Sequence, residues 1–273
     1  MGNDSGLVIG IGVSSAPDSK EAALRAVNRA REQNPTPQAA LLFASAKFDQ
    51  GAVFATVRSQ LGEIPLNGCA FFAFMTNAGV ARDTLMVVLL SSSHMKFSSY
   101  SISPRGNPEK MGFDLGSKIR TEHPELDLSQ FPVSGLIFAD ESHFSGTRYL
   151  SGLKEGLQAA LPLSGGGTLN EHLGGPDFFR GYQFSDHGVS RNNFNIFLFQ
   201  SLISSAFRFS YSFESSWSPV TNPVRVTKAE GARVYQLDGR SYGDYMRRIL
   251  GEDVFQKEEL RLKYTFIAKQ ETP

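Results

Sequence analysis

Leu41-Leu42-Phe43-Ala44-Ser45 returns 95 positions later as Leu136-Ile137-Phe138-Ala139-Asp140. Each run is short, apolar and bounded by polar residues, which predicts a buried strand. Self-similarity outranks local features in fixing an architecture, so the comparison widens from these two strings. Phe54, Val57 and Leu61 follow the first string, and Leu150, Leu153 and Leu157 follow the second. Residues three and four apart share one helix face, so each set predicts an amphipathic helix. Ile64-Pro65-Leu66-Asn67-Gly68 is then answered by Leu161-Pro162-Leu163-Ser164-Gly165, and Leu85 to Leu90 by Phe194 to Phe199.

The correspondence extends upstream. Leu7 to Val13 reads as a strand, followed by Pro17 and a helix from about Ser19 to Glu32. Asp18 and Glu21 there have capping-box spacing. Phe97 to Ile102, Pro104 and a helix near Met111 to Glu122 repeat the pattern. Each half reads β-α-β-α-β plus antiparallel strands. The predicted fold is an α/β, internally duplicated module, with mixed sheets flanked by helices. The repeats run over about 1–93 and 94–215. Beyond Trp217 the pattern changes to small strands at Val224 to Thr227 and Arg233 to Arg240, then a helix from Ser241 to Leu250.

Composition narrows the function classes. Lys plus Arg and Asp plus Glu are each 27 in 273 residues, for a net charge of +0. Phosphate recognition needs a basic surplus, so a nucleic-acid partner is not expected. The single cysteine, Cys69, excludes an internal disulfide and a cysteine-based zinc site. The apolar run Leu7 to Val13 is far shorter than the ~20 residues of a membrane helix, and no basic signal region precedes it. The expectation is a cytoplasmic protein with no membrane partner.

Two stretches resemble the FIST family of signal-transduction sensory domains. The first is Ala40 to Asp49 with Ile64-Pro65-Leu66-Asn67-Gly68-Cys69. The second is Trp217-Ser218-Pro219-Val220, then Val224-Arg225-Val226-Thr227-Lys228-Ala229-Glu230-Gly231 and Val234-Tyr235-Gln236-Leu237-Asp238-Gly239-Arg240. The resemblance implies a FIST N-terminal domain over 1–215 and the start of a truncated C-terminal domain over 216–273. It also implies a sensory module that binds a small ligand, with an amino acid as one candidate, and signals to protein partners. It implies neither catalysis nor a cofactor. The sequence departs from the family at Ala70 to Met75, where polar residues give way to phenylalanines, and at Thr168-Leu169-Asn170-Glu171.

Gly165, Gly166 and Gly167 are the leading ligand-site candidates, because glycines let a ligand approach the backbone and N–H groups converge on an anion. The plainer reading is a turn. Thr168, Asn170 and Glu171 would add specificity, and Arg180 would clamp a carboxylate or close an edge-strand ion pair. Ser45, Asp49 and Asp140 lie near strand ends, where open sheets bind ligands; capping explains them equally well. Gly68 and Cys69 occupy the matching bend of the first repeat. An alternative reading is a hydrolase or transferase using Cys69, with His172 as its base, or a serine such as Ser164. A desolvated thiol is a poor nucleophile, and no elbow motif surrounds it. The five histidines, His94, His123, His143, His172 and His187, lack metal-ligand spacing. Trp217 is either a ligand stack or a core plug. Phe71, Phe72 and Phe74 offer a greasy surface for a third reading, an interaction scaffold. The ligand is expected in a cleft between the two repeats.

Overall fold

Glycine spacing on the first strand decides how the first helix docks. A Cβ on Gly10 would lie 2.1 Å from Ala30 O, and one on Gly12 1.8 Å from Ala26 O. Only glycine lets β1 (Leu7–Ser14) meet the alanine face of α1 (Ser19–Gln33), formed by Ala22, Ala23, Ala26 and Ala30. Asp18 caps that helix by accepting from Glu21 N at 2.8 Å. The computed structural model describes residues 6–71, 73–76, 79–103, 106–123, 132–139, 146–168, 181–191, 193–203, 207–210, 218–219, 221–230 and 233–257.

The chain continues through β2 (Ala39–Ser45), α2 (Gln50–Leu61), β3 (Leu66–Phe71), the hairpin β4 (Phe74–Thr76) and β5 (Gly79–Ala81), and β6 (Leu85–Ser92). The second half follows with β7 (Met95–Ile102), α3 (Pro108–Glu122), β8 (Val133–Ala139), α4 (Gly146–Leu157) and β9 (Leu163–Gly167). It ends with the hairpin β10 (Gln183–Ser185) and β11 (Gly188–Ser190), then β12 (Phe194–Ser201). The first sheet has the order β1-β6-β2-β3-β10-β11, and the second β7-β12-β8-β9. In both, the last long strand of its half inserts between the first and second, antiparallel to each, and the second and third strands run parallel. The mixed α/β class expected from the sequence is the one observed.

Strand alternation builds three cores from two sheets. Ala40, Leu42 and Ala44 of β2 face α1 and α2, packing with Val53, Val57 and Phe184. Ile137 and Ala139 of β8 face α3 and α4, against Leu115, Ile119, Tyr149 and Leu153. The odd-facing set, Ala39, Leu41 and Leu90, meets Phe97, Phe138 and Phe197 of the second sheet. The layers therefore run helices, sheet, sheet, helices. Because both faces of each central strand are covered, these strands read as unbroken apolar runs.

α3 and α4 approach through paired glycines. Gly112 and Gly116 meet the Tyr149 and Leu153 carbonyls, and Gly152 and Gly156 meet those of Glu109 and Phe113, all within van der Waals reach of an added Cβ. This approach corrects the face predicted for α4. Leu150 is 38% exposed, whereas Tyr149 is fully buried beside Leu153 and Leu157. A close helix crossing needs Gly152 and Gly156 inward, and Tyr149 lies on their side of the helix.

Residues 1–172 and 176–211 form one compact unit, and 173–175 with 212–273 another. In the second unit β13 (Val226–Glu230), β14 (Arg233–Leu237) and β15 (Arg240–Ser241) form an antiparallel sheet. Asp238 (φ 48) and Gly239 (φ 74) make the two-residue turn between the last two strands. Both central residues at positive φ match the strand twist, which favours an Asp-Gly pair. Ser241 caps α5 (Tyr242–Leu250) through Asp244 N, and α6 (Glu252–Gln256) follows.

Candidate functional site

The cleft expected between the repeats is occupied, among the described residues, by the aromatic core joining the two sheets. Phe97 stacks on Phe197 at 6.2 Å, and Phe43 meets Phe138 edge-on at 5.6 Å. Buried polar groups stitch the same interface. Asn67 Nδ2 donates to Ser99 Oγ at 3.1 Å and Ile196 O at 3.2 Å, while its Oδ1 accepts from Gly68 N. Asn195 Nδ2 donates to Phe184 O at 2.7 Å.

A groove opens instead along the outer edge of β7, with a volume of about 630 Å³. Among the described strands β7 pairs with β12. The groove is floored by Lys96 to Ile102, walled by Asp114, Lys118 and Glu122 of α3, and closed at one end by Pro65 and the Asp186-His187 turn. The α3 residues recur every fourth position, so they share one face. Their charges alternate: Lys110 pairs with Asp114 at 2.9 Å and Lys118 with Glu122 at 3.7 Å. These pairs are exposed, and each contributes only a few tenths of a kcal/mol, about 0.3–0.5.

At the end of α3 the groove becomes ordered. Tyr100 Oη donates to Glu122 Oε2 at 2.9 Å and lies 2.8 Å from His123 Nε2. A phenol has one proton, so a hydroxyl that gives it to the carboxylate accepts from the imidazole. Asp186 is held from two sides, accepting from Leu66 N at 2.6 Å and pairing with Arg58 at 3.3 Å. The groove thus combines two lysines, two helix carboxylates, an oriented phenol and the hydroxyls of Ser98, Ser99 and Ser101. Such a set offers donors for an anion and acceptors for a cation. The serine-rich β7 and the charge spacing on α3 were visible in the sequence; their meeting at one sheet edge was not.

The residues singled out from sequence lie elsewhere. Gly165, Gly166 and Gly167 form the strand β9 itself and are exposed, and a Cβ on Gly166 would meet no described atom within 4 Å. Thr168 is buried, donating to Ala139 O and accepting from Gln183 Nε2 at 2.5 Å. Gly68 and Cys69 sit within β3 rather than after it. Ser164 likewise lies inside β9. Cys69 packs against the intersheet core, and burial pushes its thiol up to about 12. Ser45 is buried at the end of β2, its carbonyl accepting from Gln50 Nε2 at 2.9 Å, and Asp49 caps α2 through Ala52 N. Phe71 and Phe74 meet edge-on at 4.6 Å, both half-buried. Phe72, Asp140, His143, Asn170, Glu171, His172, Arg180 and Trp217 lie outside the described residues. The described residues contain no group of three or more metal-ligating side chains.

The FIST N domain family matches residues 38–240. The chain belongs to that family, whose domains are sensory modules of signal transduction. Its sequence matches no curated protein. Among solved structures it is similar to a cyanuric acid hydrolase from A. caulinodans, 12% identical over 72% of each chain, with a TM-score of 0.33. A likeness at that level bears on no chemistry here. No described helix is long and apolar enough to cross a membrane.

Proposed function

We infer that this chain is a non-catalytic sensory module of the cytoplasm, binding a small zwitterion of the amino-acid class in the groove along β7. The observation that carries this reading is the groove's double charge. Lys96 and Lys118 suit a carboxylate, while Asp114 and Glu122 suit an ammonium. A ligand bridging α3 and the Asp186-His187 turn would bias their spacing, which a signalling partner can read. A nucleophilic role for Cys69 fits poorly with a thiol kept protonated inside a strand.

Thermal melts with a panel of amino acids test the reading. Ligand at 100 times its Kd adds about 2.7 kcal/mol to stability, and Lys118→Glu should abolish the shift. No shift across the panel would remove the proposal. A second placement, at the glycine run of β9 with Thr168, Asn170 and Glu171, is favoured by the space beside Gly166 among the described residues. Gly166→Val would then abolish the shift and Lys118→Glu would leave it.

A further inference from the structure

The two halves agree residue by residue wherever their sheets are formed, and they part company at one hairpin. β4–β5 pairs Phe74 with Ala81, Met75 with Val80 and Thr76 with Gly79. β10–β11 pairs Gln183 with Ser190, Phe184 with Val189 and Ser185 with Gly188. The two registers are identical at a displacement of 109 positions, the same that separates Leu85 of β6 from Phe194 of β12. Gly79 (φ 110) and Gly188 (φ 124) even share the left-handed conformation. The hairpins are therefore equivalent pieces of the two halves.

Their surroundings differ. β10 crosses to the opposite half and extends the first sheet, with Gln183 opposite Cys69 and Phe184 opposite Gly68. The equivalent edge of the second sheet is β9, where Gly165 (φ 132) matches Gly68 (φ 148) and abuts Ile137 O as Gly68 abuts Leu42 O. Among the described residues β9 pairs with β8 alone, and β4–β5 forms a sheet of its own.

A second gap lies nearby in the same scheme. Ile9 and Ile11 of β1 hold the positions that Phe97 and Ser99 hold in β7, since β1 and β7 pair with β6 and β12 in one register. Phe97 is buried, and Ser99 is bonded to Asn67 and Leu66 of β3. Ile9 and Ile11 are each 47% exposed, and Val80 on the hairpin is 63% exposed. Gly10 and Gly12 face α1, so Ile9 and Ile11 point toward the second sheet's side. The equivalence assigns their cover to β9 and β4–β5.

We propose that the β4–β5 hairpin docks on the free edge of β9, completing a six-stranded second sheet and covering Ile9 and Ile11. The docked register follows from its counterpart: Phe74 opposite Gly166, Met75 opposite Gly165. The short connection permits it. Only two residues separate Phe71 from Phe74, but the equivalent crossing is also short in space. Gly181 sits against Thr168, 2.6 Å from its Cβ for an added Cβ, and Tyr182 O accepts from Ala70 N at 2.8 Å. The hairpin is thus a strap that closes on its own chain. The inference does not depend on the groove at β7.

Two measurements on the full chain test it. Amide hydrogen exchange of the unaltered protein should show Gly167, whose N–H points away from β8 as that of Ala70 points away from β2, protected at least tenfold over the unstructured rate. In a Cys69→Ala background, Phe74→Cys with Gly166→Cys should oxidise to an intramolecular disulfide, because directly opposed strand positions lie within disulfide reach. Phe74→Cys with Ser164→Cys should not. Rapid exchange of the Gly167 amide overturns the proposal. So does protection without the crosslink, which means another occupant, and so does a crosslink only between two copies, which means an exchanged hairpin.

Discussion

Gly152 of α4 lies directly on the Glu109 carbonyl of α3, where an added Cβ would come within 1.9 Å of the oxygen. Backbone cannot yield as a flexible side chain can. Alanine there gains about 1 kcal/mol of helix propensity but forces the helices apart at a cost of roughly 1–3 kcal/mol or more. Gly152→Ala should therefore lower the urea midpoint. Gly51→Ala in α2, whose Cβ would meet only Asp49 Oδ1 at 3.3 Å, should leave it unchanged or raise it.

Asn67 joins the two sheets from a fully buried position. Asn67→Leu keeps the volume but leaves the Gly68 N–H without its acceptor. An unsatisfied buried group costs roughly 1–3 kcal/mol, and we expect a loss of that size in equilibrium unfolding. Asn67→Asp adds a buried charge and should cost more.

The Cys69 thiol gives a pH signature. Its pKa moves from 9.0 to about 12 in the fold because burial disfavours the thiolate. Below the lower value both states keep the proton, so stability is unaffected. Above it the unfolded chain releases a proton that the native state retains, and stability falls as pH rises toward the folded value. Wild type should lose stability faster than Cys69→Ala between about pH 8.5 and 10.5. A disulfide reagent at neutral pH should modify native Cys69 more slowly than free cysteine.

Tyr100→Phe removes the hydroxyl that links Glu122 to His123. Hydrogen bonds to charged groups contribute about 1.5–3 kcal/mol, so on the proposed reading affinity for a ligand in the β7 groove should fall about tenfold or more. Titration calorimetry reads the change, and an unaltered Kd would place the ligand elsewhere.

The sheets were legible from Leu41 to Ser45 and its repeat because a strand covered on both faces leaves an apolar run that no helix period interrupts. The start of α1 was legible too, since Asp18 caps it through a short side chain; α3 begins at Pro108, ahead of the expected Met111, behind an Asn107 cap. The face of α4 was misread because glycine carries no hydropathy signal, although Gly152 and Gly156 set the rotation of that helix. The groove was illegible for another reason. Ser99, Glu122 and Asp186 belong to three separate elements, and nothing local records that β10 crosses to the other half. The glycine run of β9 stands out by composition, which an exposed strand edge accounts for as readily as a ligand cradle.

The position of β6 has a bearing on synthesis. It lies between β1 and β2, so the first sheet stays open at its centre until Ser92 has left the ribosome. The edge at β3 waits longer still, for Phe184. Through that interval Leu41 and Phe43 have no second sheet to lie against, which makes the half-made chain a natural client for chaperones.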